Sequence, residues 1–178
     1  ILIGEPDEEY DYYPRGFVWL FPGYDGEYGS SMPTMSVAGD VTLNGADVYV
    51  WLEDNANLTV DGNLTLEDGT YRCNIEMYNN AVLTVNRDVT LNETNSYVWM
   101  DGHYRSDSEA WMDKGVTLTV SGNLTLAENV VLDGKAVLDV HGTVSAEEIQ
   151  LLSLNSVVLN ALVSEGIIPG YYDILDEE

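Results

Sequence analysis

The chain has 178 residues, of which 45% are hydrophobic, and this composition supports one domain with a continuous core. Its 31 acidic residues far outnumber its six basic residues, which gives a net charge of -25. Because phosphate recognition requires clustered lysine and arginine, this charge argues against nucleic acid or an anionic membrane as a partner. No segment reaches the roughly eighteen apolar residues of a membrane span, so direct membrane insertion is not expected.

Residues 1–34 form an aromatic and acidic N-terminal arm that differs in pattern from the rest of the chain. The arm begins at Ile1 rather than Met, as in a chain whose signal sequence has been removed or that has been trimmed. We expect its apolar run either to cap the sheet edge of its own chain or to dock on a neighbouring subunit. Both alternatives stay open. The run consists of Phe17, Val18, Trp19, Leu20 and Phe21.

A nine-residue phrase occurs five times between residues 35 and 146, most clearly as LTVDGNLTL from Leu58 and as LTVSGNLTL from Leu118. Apolar and polar residues alternate within the phrase, which is the period of a strand with one buried face and excludes a helix. A glycine in the middle of most copies predicts a corner, because the missing side chain lets the chain turn close to the core. Each phrase therefore predicts two short strands. The glycine column is Gly39, Gly62, Gly122 and Gly142, with Arg87 as the exception.

A third strand follows each phrase, because apolar residues again stand two apart in segments such as VWL at 50–52 and IEM at 75–77. The first residue of the next phrase stands six positions after the last residue of this strand in three copies. The same step from Leu151 predicts a degenerate sixth copy that starts at Val157. Repeated coils of about 20 to 25 residues predict an all-β fold, a short parallel β-helix or β-solenoid. We expect five to six coils of three strands over residues 35–163.

Equivalent residues of successive phrases are expected to stack at about 4.8 Å. Two outward columns would form a hydroxyl ladder and a second polar ladder, and one inward column would form an apolar spine. The hydroxyl ladder is Thr42, Thr65, Thr90, Thr125 and Ser145. The second polar ladder is Asp40, Asn63, Asp88, Asn123 and Thr143. The apolar spine is Leu43, Leu66, Leu91 and Leu126.

Aromatic residues occupy outward positions of two of the third strands, with Glu76 on the strand between them. These residues are Tyr49, Trp51, Tyr97 and Trp99. Aromatic rings provide stacking surfaces for sugars, and they also pack against neighbouring subunits. The pattern predicts either a carbohydrate-binding face or a packing face.

Residues 102–113 interrupt the repeat as a twelve-residue insertion at one corner. The insertion contains His103, Arg105, Trp111 and three acidic residues, without any catalytic or metal-ligand spacing. Long corner loops often carry function. We expect a loop that is solvated or that contacts another subunit, with Trp111 as a contact residue.

The lone Cys73 cannot form a disulfide within the chain. It is expected to be either a small buried residue or an exposed thiol available to another subunit. Four N-x-S/T sequons occur. Asn92 stands at a corner and is the best glycosylation acceptor among them, since the polar ladder already explains Asn63 and Asn123.

Residues 164–178 form a C-terminal tail that carries Tyr171 and Tyr172 and ends in acidic residues. Aromatic segments beside open strand edges predict end-to-end addition of subunits. No cofactor and no defined metal site is predicted, but hard cations such as Ca²⁺ prefer carboxylate oxygens and could bridge acidic termini. The acids available for such bridging are Asp7, Glu8, Glu9, Asp173, Asp176, Glu177 and Glu178.

Enzymes with β-helical folds that act on polysaccharides need grouped carboxylates or a basic residue beside metal-binding acids. The six basic residues are instead scattered along this chain, and no Ser/His/Asp order, phosphate loop or Cys/His cluster stands out. We therefore predict no catalytic residues and a protein that is not an enzyme.

The phrase Leu-Thr-Val-x-Gly-Asn-Leu-Thr-Leu resembles the coils of extracellular β-helical adhesins and surface-layer proteins over residues 35–163. The acidic composition, few lysines, single cysteine and aromatic ends are also similar to subunits of cell-surface tubes or sheaths, such as those around some methanogenic archaea. The resemblance implies an extracellular location. We expect a structural protein that assembles with itself into a filament, hoop or sheath. The alternatives are an adhesin or carbohydrate-binding module and, less favoured, a polysaccharide-active enzyme.

Overall fold

The computed structural model describes residues 15–20, 32–105, 111–113, 115–152, 158–164, 167 and 170–171. Within these residues the chain forms nineteen strands, numbered β1 to β19 in chain order, and no helix. The predicted all-β class is confirmed. Apart from one hairpin, the strands pair in parallel, as in a parallel β-solenoid.

The strands form three ladders in which equivalent segments lie side by side. The first ladder contains β2 (Thr34–Val37), β5 (Asn57–Val60), β8 (Val82–Val85), β13 (Val116–Val120), β16 (Ala136–Ser145) and β18 (Val158–Val163). The second contains β3 (Val41–Asn44), β6 (Leu64–Glu67), β9 (Val89–Leu91) and β14 (Leu124–Thr125), and it ends on the second half of β16. Because β16 spans both ladders, they join into one ten-stranded sheet.

The third ladder is a separate seven-stranded parallel sheet. It contains β1 (Arg15–Leu20), β4 (Asp47–Leu52), β7 (Arg72–Tyr78), β10 (Ser96–Asp101), β15 (Asn129–Asp133), β17 (Glu148–Leu151) and β19 (Gly170–Tyr171). The remaining strands, β11 (His103–Arg105) and β12 (Trp111–Asp113), form an antiparallel hairpin.

Equivalent residues of the phrases pair in the register that their alignment predicts. Thr65 pairs with Thr42 on one side and with Thr90 on the other, and Thr125 pairs with Thr90 and Ser145. In the apolar spine, Leu66 pairs with both Leu43 and Leu91. The chemistry of a column is thus the same on neighbouring strands, because the sequence repeats and the sheets are parallel.

The core lies between the sheets and consists of the inward residues of all three ladders. In the first ladder, Leu58, Leu83, Leu118 and Leu138 are at most 1% exposed. In the seven-stranded sheet, one inward column is fully buried along five strands. This column is Val50, Ile75, Val98, Val130 and Ile149.

Hydrogen bonds from polar side chains stabilise the corner between the first and second strands of the phrases. Asp40 Oδ1 accepts a hydrogen bond of 2.7 Å from the Asn63 backbone N–H, and Asp88 Oδ1 accepts one of the same length from Asn123. Asn123 Oδ1 in turn accepts from the Thr143 N–H at 3.0 Å. The corner glycine is required by this ladder, since a Cβ atom on Gly62 would overlap Asp40 Oδ1. We call this series of hydrogen bonds the corner ladder.

The N-terminal apolar run adds a strand to the sheet of its own chain. β1 pairs in parallel with β4, and Val18 is 4% exposed on the inward side. Over residues 15–20 the run therefore lies in cis, where the sequence left docking on a neighbouring subunit equally open. Phe21 lies outside the described residues.

The last strand of the first ladder differs from the predicted sixth copy. Leu159 pairs with Leu138, whereas the predicted spacing placed Val157 there, so that alignment is wrong by two residues. An irregularity between Asp139 and Thr143 brings Val163 opposite Val144. This copy lacks the corner glycine, and β18, like β16, is a single strand.

The insertion forms a hairpin base without disturbing the ladders on either side. His103 pairs with Asp113, while β10 and β13 before and after the hairpin keep their register. Gly102 itself belongs to the ladder region, because its N–H donates to Asp133 O at 3.1 Å. A Cβ atom on Gly102 would lie 2.5 Å from the backbone nitrogen of Lys135, so the neighbouring chain requires glycine there.

Candidate functional site

The outward residues of the seven-stranded sheet form two columns, which together we call the aromatic face. The first column is Phe17, Tyr49, Asn74, Tyr97, Asn129 and Glu148. The second column is Trp19, Trp51, Glu76, Trp99, Val131 and Gln150. All four aromatic residues that the sequence predicted as a stacking or packing face lie here.

The N-terminal part of the aromatic face is packed against itself. Phe17 stacks on Tyr49, with ring centroids 5.2 Å apart and planes 7° from parallel. The guanidinium of Arg72 lies 4.0 Å from the centroid of the same tyrosine ring. Trp51 has ring neighbours in Trp19, at 6.0 Å, and Tyr78, at 5.7 Å. Tyr49 and Trp51 therefore have their ring contacts within the chain.

A partly buried ion pair fixes Arg72 at the start of β7. Its Nε and Nη2 donate to the two carboxylate oxygens of Asp47 at 2.6 and 3.0 Å, and Asp47 is only 2% exposed. Burial by itself would lower the pKa of Arg72, but the hydrogen bond and charge of Asp47, together with Tyr49 and Glu76, outweigh burial and raise the pKa above its ordinary value. The arginine is a fixed cation that pairs with Asp47 through Nε and Nη2.

Polar residues in the middle of the aromatic face form a buried hydrogen-bonded cluster. Asn74 is fully buried and Glu76 is 8% exposed. The hydroxyl of Tyr97 donates to Glu76 Oε1 at 2.7 Å, and the hydroxyl of Tyr78 donates to Oε2 at 2.9 Å. Asn74 Nδ2 donates to Glu76 Oε1 and, at 2.6 Å, to the Tyr97 hydroxyl oxygen. We call these four residues the Glu76 cluster.

Burial and the Glu76 carboxylate shape the acid–base behaviour of both tyrosines in this cluster. Loss of hydration, followed by the hydrogen bond and charge of Glu76, raises the pKa of Tyr97 to about 12. The same causes raise the pKa of Tyr78 further, with burial again the largest. Both hydroxyls therefore stay protonated donors to Glu76 at neutral pH. The Oδ1 atom of Asn74 is buried and has no hydrogen-bond partner among the described residues.

Two adjoining cavities border the aromatic face, and both are lined by Tyr97 and Glu128. The larger cavity, of about 590 Å³, is lined by Asp47, Tyr71, Arg72, Asn95, Tyr97 and Glu128. The smaller cavity, of about 470 Å³, is lined by Glu76, Tyr78, Tyr97, Trp99, Glu128, Asn129, Val131 and Gln150. The four predicted aromatic residues thus fall into two pairs, of which only one lines these cavities. Tyr97 and Trp99 line open space, whereas Tyr49 and Trp51 line neither of these cavities.

Sequence reasoning did not identify Asn74 as a buried residue, and it treated Glu76 only as a spacer between aromatic strands. Both occupy outward positions, where polar residues are ordinarily exposed. Their neighbours in the columns could have indicated this burial, because large aromatic residues pair with each of them on both adjacent strands. Those rings cover the smaller polar side chains between them.

The residues predicted to mediate assembly lie at several places on the fold. Phe17, Trp19 and Leu20 are on β1, where Trp19 is 45% exposed and its Nε1 donates to Glu53 at 3.3 Å. Trp111 is on β12 of the hairpin, and Tyr171 is on β19, paired with Leu151. Tyr172 lies outside the described residues, as do the terminal acids predicted to bind calcium.

Cys73 is fully buried, and this placement contradicts its predicted availability as an intermolecular thiol. Burial raises the pKa of the thiol from 9.0 to about 11, so the reactive thiolate is disfavoured. Of the two expected environments, the structure shows the small buried residue. Asn92 is exposed, and its backbone N–H donates to Leu66 O.

The ends of the ten-stranded sheet are strand edges. β2 and β3 lie at one end, and β18 pairs with β16 at the other. No described residue pairs with the free side of β2 or β18. The inward residues Met35 and Leu159 at these ends are only partly buried, although their counterparts on the middle strands are fully covered.

Within the described part of the chain, no group of three or more His, Cys, Asp or Glu side chains is arranged to hold a metal ion. The same part contains no helix long and apolar enough to cross a membrane. Comparisons of the chain with protein-family models, with curated proteins and with solved structures give no match.

Proposed function

We propose that the chain is a parallel β-solenoid of five to six three-strand coils, and that it serves as a non-catalytic structural subunit of an extracellular filament, hoop or sheath. One observation supports this proposal above the others. The parallel ten-stranded sheet ends in strands whose inward residues are incompletely covered at both ends. Open parallel edges of this kind add further strands, and the matching addition is a second copy of the chain.

The backbone of β2 shows which groups would join a second copy. The carbonyls of Pro33 and Val37 accept hydrogen bonds from β5-side residues Asn57 and Asp61. Since alternate residues of a parallel strand bond to opposite neighbours, the Ser36 N–H and C=O point away from β5. Ser36 is exposed and therefore presents a donor and an acceptor at the free edge.

The two ends are complementary in strand direction and in chemistry. Every strand pair in this sheet is parallel. When β18 of one copy pairs in parallel with β2 of another copy, the two sheets form one continuous ladder. Such addition buries Met35 of one copy together with Leu159 of the next. Head-to-tail addition of this kind is heterologous and produces an open filament or, with curvature, a closed hoop.

Charge opposes this association, because each copy carries -25. We propose that divalent cations such as Ca²⁺ relieve the repulsion by bridging surface carboxylates of adjacent copies. Millimolar calcium should then promote assembly more strongly than sodium chloride at equal ionic strength.

The experiment compares Ser36→Pro with Ser36→Thr. Proline removes the free-edge N–H and leaves the bonds to β5 in place, whereas threonine keeps the N–H at the same exposed position. We expect the wild type and Ser36→Thr to form filaments or rings by light scattering and negative-stain microscopy, and Ser36→Pro to stay monomeric with an unchanged circular dichroism spectrum. A wild type that is monomeric at high concentration with calcium, or a proline variant that assembles equally well, contradicts the proposal.

A further inference from the structure

We propose that the two adjoining cavities around Tyr97 bind a saccharide chain of neutral or amino sugars, with Trp99 as the stacking surface and Glu128 as a hydrogen-bond acceptor. This site is separate from the sheet edges, so a monomer should possess it. The two proposals can therefore fail independently.

The size and arrangement of the cavities suit an extended ligand. Each volume, about 470 and 590 Å³, falls within the range of about 300 to 1,000 Å³ typical of small-molecule sites. The larger cavity contains Asp47 and Arg72 from the first residues of their strands, and the smaller contains Glu76 and Trp99 from further along. The cavities are thus offset both along and across the strands, and because they share Tyr97 and Glu128, a chain of sugars can place one unit in each.

Hydrogen-bond capacity in the smaller cavity favours a ligand that donates. The hydroxyls of Tyr78 and Tyr97 are already committed to Glu76, and Gln150 Nε2 donates to Glu148 at 2.8 Å. The Glu128 side chain forms no hydrogen bond or ion pair with a described residue, although it lines both cavities. Sugar hydroxyls can donate to this carboxylate while the apolar face of the sugar ring stacks on Trp99.

The rigid support beneath Tyr97 favours binding with little reorganisation. Tyr97 is held through its hydroxyl by Glu76 and Asn74, both of which are buried. A pre-positioned ring loses little conformational freedom when a ligand arrives. The boundary between the two cavities is therefore a fixed aromatic wall.

Charge decides which sugars fit. Three carboxylates line the two cavities, from Asp47, Glu76 and Glu128, against the one guanidinium of Arg72, which Asp47 already pairs. The chain as a whole is strongly acidic. The negative charge of the cavities and of the chain repels uronic acids and sulfated sugars. It does not oppose neutral sugars, and it attracts the ammonium group of an amino sugar.

The test is calorimetric titration of the Ser36→Pro variant, which keeps assembly from contributing heat, with wild-type protein in parallel should that variant still assemble. The probes are hexamers of glucosamine, N-acetylglucosamine and galacturonic acid. We expect the first two to bind, the glucosamine hexamer more tightly, and the galacturonate hexamer not to bind. Trp99→Leu should weaken both binding hexamers about tenfold, and Glu128→Gln should weaken the glucosamine hexamer more than the N-acetylated one.

The matched control is Glu67→Gln, which removes the same charge from the second ladder, away from both cavities, and should leave binding unchanged. Hexalysine separates saccharide recognition from simple attraction of cations. Absence of binding by both expected hexamers overturns the proposal. So does hexalysine binding as tightly as the glucosamine hexamer while the N-acetylated hexamer does not bind.

Discussion

The outward columns of the ten-stranded sheet and the aromatic face cover the same core but differ in how far they repeat. On the ten-stranded sheet, Thr42, Thr65 and Thr90 follow one another, exposed or half-buried. On the aromatic face, Tyr49, Asn74 and Tyr97 follow one another in one column, and the middle residue is fully buried. Residues that repeat from strand to strand thus serve the fold. Where one face does not repeat, its residues make contacts that are specific to that face.

The comparison predicts its largest effect at the apolar spine, where repetition and burial coincide. Leu91 is 2% exposed, and Leu91→Asp would place an unpaired carboxylate in the core, at a cost of more than about 4 kcal/mol. We expect loss of the folded state in thermal melts followed by circular dichroism. Thr90→Lys, one residue away on the outward side, is the control and should be mild. Equal tolerance of the two substitutions would show that the inward and outward assignment is wrong.

The corner ladder gives the second largest effect, and it provides a matched pair within one column. A Cβ on Gly62 overlaps Asp40 Oδ1 and would lie 2.6 Å from Asp40 N, whereas a Cβ on Gly39 meets nothing within 4 Å. We expect Gly62→Ala to lower the free energy of unfolding by about 1 to 3 kcal/mol, and Gly39→Ala to change it by less than about 0.5 kcal/mol. Urea denaturation measures both. Similar losses in the two variants would refute the role given to the corner ladder.

The stability of the protein at alkaline pH tests whether Cys73 is buried on the inward side of the seven-stranded sheet. Burial raises the pKa of its thiol from 9.0 to about 11 in the folded state. The protonated thiol therefore contributes stability that is complete below pH 9 and is lost as the pH rises towards 11. We expect urea denaturation to show a fall in stability over this window, and a smaller fall for Cys73→Ala. A thiol reagent that modifies the native protein at pH 8 as fast as the unfolded chain would contradict this burial.

The smallest effect is expected from the hairpin, which lies outside the repeated columns. Removing residues 103–113 keeps Gly102 and its bond to Asp133, so the ladders on both sides retain their partners. The free energy of unfolding should change by less than about 1 kcal/mol. Denaturant titration measures this change, and microscopy of the same variant shows whether assembly needs the hairpin. Collapse of the fold would show that the hairpin supports the ladders.

The sequence predicts the repeated part of this fold well because each column supplies several independent copies of one signal. Thr65 and Leu66 have equivalents before and after them, so a single odd residue does not disturb the alignment. The last strand was misaligned because Val157 and Leu159 are both suitable inward residues and no corner glycine fixes the choice. The sequence does not decide how β1 docks, since a strand edge can be covered equally by its own chain or by another.

The candidate site could be predicted only in part, for the opposite reason. Tyr97 and Trp99 were recognised from their spacing, but sequence alone does not show that Phe17 and Arg72 occupy the ring of Tyr49. Nor does it show that Asn74 is buried, because that burial depends on rings contributed by neighbouring strands. Contacts made between columns that do not repeat have no second copy in the sequence to reveal them.

The corner ladder also has a mechanical consequence. Its hydrogen bonds, like those of the sheets, run from one repeat to the next along the stacking direction. Each repeat contacts only its neighbours, so a tensile load along that direction passes through every interface in series. The interface with the fewest bonds then sets the breaking force for the whole molecule. We expect the weakest interface to be the one between β16 and β18, because the register there is irregular and the last strand lacks a corner glycine. Under tension the molecule should yield at this end first and leave the middle repeats intact.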